Sequence, residues 1–139
     1  MEKITVSAVI AAPIHQVWDC WTLPEHITQW NYASDDWHCP EAKSDLKPGG
    51  NFSSKMAAKD GSFEFELAGT FDEVKKHQLI TYTMDDGRWC TVSFMEVDDG
   101  IEVTEVFDAE TQNPVEMQQA GWQAILNNFK KYAESLSSN

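Results

Sequence analysis

One acidic residue lies where the sequence otherwise predicts a buried apolar face. Glu105 stands in a segment whose alternate positions are apolar: Ile101, Val103 and Phe107. Side chains two residues apart share one face of a strand, so Glu105 is predicted to point inward. A buried carboxyl group needs a partner or acquires a raised pKa. Glu105 is therefore a candidate to orient a ligand or to act as a general acid or base.

The partner of Glu105 cannot be chosen from the sequence. Three residues are candidates: His38, Arg88 and Tyr82. The structural alternative is an ion pair, or a strand end that turns to solvent. Arg88 follows the acidic turn Asp85-Asp86-Gly87 and is also a candidate to pair with those surface acids.

A second set of reactive side chains is concentrated between Asp35 and Cys39. Carboxylates, His38 and Cys39 invite a metal or nucleophile hypothesis. Neighbouring side chains of an extended segment point to opposite faces, and no second His/Cys cluster follows, so we expect no metal site and an inert Cys39 thiol. No glycine-rich phosphate loop is present, and no cofactor is expected. His38 remains, with Glu105, a candidate catalytic residue.

Strand patterns must position these residues. The alternation from Lys3 to Ile10 predicts a first strand, and Pro13 and Pro24 begin two short helices. An irregular segment, Asn31–Pro40, is expected next. From about Asp45 to Phe107, apolar alternation interrupted by turn residues predicts an antiparallel meander, with Phe63, Phe65, Leu67 and Phe71 on its buried face.

After Pro114 the apolar period becomes 3.6 residues, which predicts a long amphipathic helix. The chain is thus predicted to be one α+β domain over residues 1–139. A curved antiparallel sheet of about seven strands, with this helix laid across its concave face, leaves room for an apolar pocket.

Composition restricts the partners. The formal net charge is −13, and Arg88 is the only arginine. Nucleic acid and anionic membranes require basic patches, so neither is an expected partner. The longest apolar run near the N terminus, residues 8–14, is broken by Pro13, so neither export nor membrane insertion is expected. Three widely spaced cysteines indicate reduced thiols and a cytoplasmic protein.

The order of several short motifs resembles the START-like (SRPBCC) superfamily, and within it the branch of homologues of the activator of heat shock protein 90 ATPase. The matching segments are Ala11-Ala12-Pro13, Leu23-Pro24-Glu25-His26, Asp35–Pro40, Asp45–Gly50, Leu79–Thr83 and Gly121–Tyr132. The resemblance implies a helix-grip fold. Members of this superfamily include lipid and hormone binders, polyketide cyclases and co-chaperone domains, so fold alone does not give the activity.

The resemblance also implies a cavity between the long helix and the sheet. We expect a hydrophobic aromatic or lipid-like molecule to bind there, against the following residues: Trp30, Trp37, Phe52, Met56, Phe65, Tyr82, Phe94, Glu105, Trp122, Ile125 and Phe129. Two alternatives remain open. One is an enzyme of the cyclase or dehydratase type, which would use Glu105 or His38 for proton transfer.

The other alternative is a module that interacts with a chaperone. Co-chaperones of this branch usually carry a separate N-terminal domain, for which 139 residues are expected to leave no room. A homodimer is a further expectation, because Trp89 takes the outward parity of its strand, and an exposed tryptophan is typical of a contact surface.

Overall fold

The computed structural model describes residues 2–137; the other positions of the predicted domain, Met1, Ser138 and Asn139, lie outside them. Seven strands and three helices occupy the described residues. In chain order they are β1 Lys3–Ile10, α1 Ile14–Thr22, α2 Pro24–Ile27, β2 Trp37–Ser44, β3 Asn51–Ala58, β4 Glu64–Lys75, β5 Leu79–Met84, β6 Trp89–Val97, β7 Gly100–Asp108 and α3 Val115–Ser137.

The strands form one antiparallel sheet in the order β1-β7-β6-β5-β4-β3-β2. From β2 onward each strand pairs with the next, and β1 then pairs with β7. The sheet curls into a half-barrel, and α3 completes the helix-grip arrangement that the resemblance predicted. The α+β prediction is confirmed.

Prolines set the two short helices in place. Pro13, with φ −66° and ψ 152°, is the N-cap of α1, and Pro24 occupies the first turn of α2, where a missing N–H costs no hydrogen bond. Leu23 ends one helix and begins the next. The Trp30 indole then donates a 2.8 Å hydrogen bond to the Cys20 carbonyl, which fixes the following loop against α1.

Helix α3 also covers the β1 edge of the sheet. Three of its side chains donate hydrogen bonds to β1 carbonyls: Gln119 to Thr5, Gln123 to Ser7 and Lys130 to Val9. The Glu134 carboxylate accepts a 2.8 Å hydrogen bond from the Ala11 amide and pairs with Lys130 at 2.7 Å. These contacts hold the helix in register, and they satisfy backbone groups that an edge strand otherwise exposes.

The core lies between α1, α3 and the concave face of the sheet. Phe107 is fully buried, and its ring stacks on Trp122 of α3 with centroids 3.7 Å apart. Gly69 lets the Phe52 ring approach β4 closely, because a Cβ at this position would lie 2.9 Å from the Phe52 ring and 2.4 Å from the Thr83 carbonyl oxygen. The sheet therefore carries a layer of aromatic rings on its inner face.

Two local predictions are wrong. The segment expected to be irregular up to Pro40 contains the start of β2, because pairing with β3 overrides a sequence that has no clear alternation. Phe63 and Phe65, expected to be buried, are 60% and 45% exposed, because they lie at the tip of the β3–β4 hairpin: Phe63 precedes β4 and Phe65 is its second residue. No helix within residues 2–137 has the length and hydropathy that crossing a bilayer requires.

Candidate functional site

An apolar cavity of about 120 Å³, called here the inner cavity, lies under α3. It is bounded by the short helices, the concave face of the sheet and one turn of α3. Its lining residues are Trp21, Thr22, Ile27, Trp30, Asn31, Lys43, Ser44, Leu46, Phe52, Ser54, Met56, Leu67, Phe71, Ile80, Tyr82, Glu105, Trp122 and Ile125. Aromatic and aliphatic groups predominate, as they do in binding pockets for small molecules.

A second, more open cavity of about 320 Å³, the outer cavity, adjoins the inner one. Its lining residues are Tyr32, Ala33, Ser34, Trp37, Met56, Phe65, Asn113, Met117, Gln118, Gly121, Trp122 and Ile125. Three side chains line both spaces: Met56, Trp122 and Ile125. They form a partition between the two cavities, and because a methionine side chain is flexible, this partition is deformable.

Glu105 is the acidic residue of the inner cavity. It is 5% exposed on β7 between the buried Val103 and Phe107. Within the described part of the chain, no hydrogen bond or ion pair joins its carboxyl group to another residue, so neither structural alternative, an ion pair or a turn to solvent, holds. Burial raises the pKa of the Glu105 carboxyl from its usual 4.5 to about 8. At neutral pH the group is mainly a neutral acid that can donate a hydrogen bond.

The polar groups next to Glu105 are also kept neutral. Burial raises the pKa of the Tyr82 phenol well above its usual range, and the Cys90 and Glu105 groups add to that rise. The pKa of the Cys90 thiol is likewise raised by burial and by Glu105. The site therefore presents protonated hydrogen-bonding groups, with no activated nucleophile among these three.

Seven of the residues singled out from the sequence line the inner cavity: Trp30, Phe52, Met56, Tyr82, Glu105, Trp122 and Ile125. Trp37 and Phe65 lie at the outer cavity. Phe94 and Phe129 line neither; they pack behind Trp21, with ring centroids 6.2 Å and 4.9 Å from it. These two rings support the wall from behind.

The three candidate partners of Glu105 lie in different parts of the fold. His38 lies outside both cavities, on β2 opposite Ala57. The Arg88 Nε pairs instead with the Asp86 carboxylate at 2.8 Å, in the surface pairing that the sequence also suggested. Tyr82 lines the same cavity as Glu105. Of the two candidate catalytic residues, only Glu105 therefore faces this space.

In the part of the chain that the structure describes, no group of three or more His, Cys, Asp or Glu side chains is arranged so that it could hold a metal ion. Cys20, Cys39 and Cys90 are all buried and unpaired with one another. Burial raises the pKa of the Cys39 thiol, although a hydrogen bond with the Glu41 backbone opposes that rise.

Several lining residues were not among those predicted. Two of the missed strand positions share the inward parity of residues that were predicted: Ser54 alternates with Phe52 and Met56, and Ile80 with Tyr82. If the inward alternation of β3 is taken to include polar residues, it predicts Ser54 as well. Others, such as Asn31 and Leu46, lie in connections between elements, where no periodicity indicates the direction of a side chain.

A family model and several solved structures match this chain. The family model for "Activator of Hsp90 ATPase homolog 1-like protein" matches residues 11–134. No curated protein matches the chain.

Among solved structures, an AHSA1-like protein from Aeromonas hydrophila is 45% identical, with a TM-score of 0.92 over 99% of this chain and 96% of that one. Chr148 from Cytophaga hutchinsonii is 48% identical, with a TM-score of 0.82 over 99% and 95% of the two chains. NE0264 from Nitrosomonas europaea shares the fold at 18% identity, with a TM-score of 0.83 over 99% and 97%.

Proposed function

This chain belongs to the family of activator of Hsp90 ATPase homologue 1-like proteins, and we propose that within that family it is a binding protein for a small hydrophobic aromatic molecule. Fold and family support a ligand-binding module or a module like the Hsp90 ATPase activators. The observation that carries the proposal is the inner cavity, which combines an apolar, aromatic-rich wall with one buried acid.

The size of the cavity favours an aromatic ring over a long acyl chain. A dry cavity of roughly 150 Å³ accepts a benzene-sized molecule, and the inner cavity holds about 120 Å³. A longer ligand would have to displace the partition of Met56, Trp122 and Ile125 to reach the outer cavity. Burial of apolar surface would supply most of the binding free energy, and the few polar groups would orient the ligand.

Titration calorimetry and ligand-observed NMR with single-ring aromatic compounds test this proposal. Saturable binding at one site is expected, and it should raise the melting temperature, because a ligand at about 100 times its Kd adds roughly 2.7 kcal/mol to the stability of the folded state. Fatty acids serve as the comparison set. Absence of saturable binding by any aromatic compound would overturn the proposal.

A matched pair of variants locates the site. Ser54→Phe places a ring into the inner cavity, whereas Ser53→Phe places the same ring on the opposite side of β3, outside that cavity. The first should abolish aromatic binding and the second should leave it within about twofold of wild type. Two-dimensional NMR spectra would verify that both variants keep the fold. Equal affinities in the two variants would place the ligand elsewhere.

The family match also favours a second candidate, a module that interacts with a heat-shock ATPase. Co-purification with the Hsp90-type ATPase of the same cell, together with an ATPase assay with and without this chain, tests it. Stoichiometric association with a several-fold change of ATPase rate would support this candidate. If neither is seen, the ligand-binding proposal stands alone.

A further inference from the structure

Glu105 is a buried acid that faces the inner cavity and has no partner within the described residues. Its cross-strand neighbours are Val6 on β1 and Val92 on β6. From the helix side the cavity is closed by Trp122 and Ile125. Of these groups, only the Trp122 indole N–H can hydrogen-bond to a carboxyl group. The Tyr82 phenol lines the same cavity, but within the described residues no hydrogen bond joins it to Glu105. Glu105 therefore has unused hydrogen-bonding capacity that a bound molecule, water included, can use.

The charges around this acid argue against an ionic ligand. Lys43 on β2 lines the mouth, but its side chain is 74% exposed and pairs with Glu41 at 3.3 Å. Arg88 is bound to Asp86 and does not line the cavity. An anionic ligand would thus be buried beside an acid without a compensating cation. An ammonium ligand would require two charged groups to lose their hydration together, which is costly in an apolar space.

We infer, on the basis of the proposed function, that Glu105 donates a hydrogen bond to a neutral acceptor on the ligand, so that the cavity selects aromatic ketones and similar aromatic carbonyl compounds. The apolar walls bind the ring, and the carboxylic acid binds the carbonyl oxygen. Aromatic acids bind weakly because no cation compensates their charge. Aromatic amines bind weakly because the ammonium and the ionised Glu105 would both lose their hydration. Hydrocarbons of the same shape bind, but without the hydrogen bond.

Four single-ring probes of similar size separate these cases: acetophenone, α-methylstyrene, benzoate and benzylamine. Acetophenone and α-methylstyrene differ mainly in C=O against C=CH₂. At pH 6.5 wild type should bind acetophenone about fivefold to tenfold more tightly than α-methylstyrene, the range that one net hydrogen bond provides. Benzoate and benzylamine should bind more weakly than either. Calorimetry, supported by NMR shifts of residues around the cavity, measures all four affinities.

Two variants assign the preference to Glu105. Glu105→Gln keeps a donor, because the amide NH₂ can replace the acid O–H, and should retain most of the preference for acetophenone. Glu105→Leu removes the donor; it should bind both neutral probes with nearly equal affinity and still bind α-methylstyrene. Melting curves and NMR spectra confirm folding. The Gln variant thus keeps a donor of the same size while removing the titratable proton of Glu105.

A pH series provides an independent readout. The titratable groups around Glu105 are Tyr82 on β5 and Cys90 on β6, with Lys43 on β2 at the mouth; the neighbouring Val6, Val92, Trp122 and Ile125 do not titrate. Burial raises the pKa values of Tyr82 and Cys90, so both stay protonated near neutrality. Wild-type affinity for acetophenone should fall above pH 8 as Glu105 loses its proton, whereas the affinity of the Gln variant should not.

Each other outcome overturns the inference. Equal wild-type affinity for acetophenone and α-methylstyrene, or an unchanged preference in Glu105→Leu, would remove Glu105 as the anchor while leaving an aromatic-binding cavity intact. Tighter binding of benzylamine or benzoate would replace the neutral ligand with an ionic one. If none of the four probes binds wild type at saturation, the proposed function fails together with the inference.

Discussion

At the scale of single residues, Glu105 makes the stability of the fold depend on pH. The folded protein keeps the proton of this carboxyl up to about pH 8, whereas the unfolded chain releases it near its usual pKa of 4.5. Between these values the folded state binds more protons, so stability falls as pH rises. The contribution is complete below about pH 4.5 and is lost by about pH 8.

We therefore expect Glu105→Gln to gain stability relative to wild type as pH increases. The difference in the free energy of unfolding should change by on the order of 1 kcal/mol per pH unit between pH 5 and 8, and then level off. Urea unfolding at several pH values measures it. Glu102→Gln, on the half-exposed face of the same strand, is the control and should follow wild type. Parallel curves for wild type and Glu105→Gln would contradict the prediction.

Other carboxyl groups act in a separate, more acidic range. The Asp108 carboxylate accepts hydrogen bonds from the Lys3 ammonium and, at 2.8 Å, from the Trp89 amide, and these contacts lower its pKa. The Glu134 pKa is lowered by its hydrogen bond with Lys130. Such groups stabilise the fold above their unfolded pKa values, and that contribution is lost as pH falls. The effect of Glu105 on the free energy of unfolding can therefore be measured above pH 5 without a contribution from these groups.

The apolar alternation of β7 predicts the inward direction of Glu105 but not the groups that surround it. Strict alternation along β7 is enough to place a side chain on the inner face. Among the described residues, Arg88 does not pair with Glu105, because it pairs instead with Asp86, two residues away in the sequence. His38 is removed from the site by the irregular β2–β3 register between His38 and Glu41, which periodicity does not reveal. Such details depend on strand register.

At the scale of elements, α3 controls the size of the site through Trp122. Its indole stacks on Phe107 and forms part of the partition between the two cavities. Trp122→Leu should join the cavities and cost about 2 kcal/mol of stability, less than a fully buried tryptophan would, since Trp122 is half-buried. The inner cavity then becomes continuous with the larger outer one.

The affinity for a longer ligand shows whether the two cavities have joined. We expect the affinity for benzophenone, which has two rings, to rise at least fivefold relative to acetophenone in Trp122→Leu. Met117→Ala is the matched control, because Met117 lies on α3 and lines only the outer cavity. It should leave the ratio of the two affinities unchanged. An unchanged ratio in Trp122→Leu would show that the partition does not limit ligand length.

The long elements were predictable from sequence and the short contacts between them were not. Pro114 and a 3.6-residue apolar period sufficed for α3, and turn residues sufficed for the hairpins from β3 to β7. Strand β2 was missed because Pro40 and alternating charges hide its pairing. Phe65 lines the outer cavity and is still 45% exposed, because alternation does not show how much of a hairpin tip the rest of the fold covers.

At the scale of the whole molecule, the charge of −13 predicts a stabilising effect of salt. The ion pairs of the described residues involve mostly exposed side chains, so they contribute little. Repulsion among excess carboxylates should dominate, and screening should reduce it. We expect the melting temperature at pH 7 to rise by a few degrees from about 0.02 to 0.3 M NaCl.

Calorimetry checks this prediction, with sucrose of equal osmolality as the uncharged control. Most of the rise should occur below about 0.3 M, since the Debye length is already short there. A melting temperature that falls with added NaCl would mean that attractive pairs dominate.

The cytoplasmic location and the homodimer stay predictions. Trp89, on which the expected dimer contact depends, is half-buried, and the Lys3 ammonium lies 4.6 Å from its ring centroid.

The pairing of β1 with β7 has a consequence for biosynthesis. Lys3 and Asp108 are 105 residues apart, and the carbonyls on the other side of β1 are bound by α3, which is made later still. At roughly 5–20 residues per second, a ribosome needs several seconds to supply these partners. During that interval the apolar side chains Ile4, Val6 and Ile10 of the nascent chain have no sheet to join. Strand β1, which precedes the other six strands of this sheet in the chain, is thus among the last of them to reach its native place.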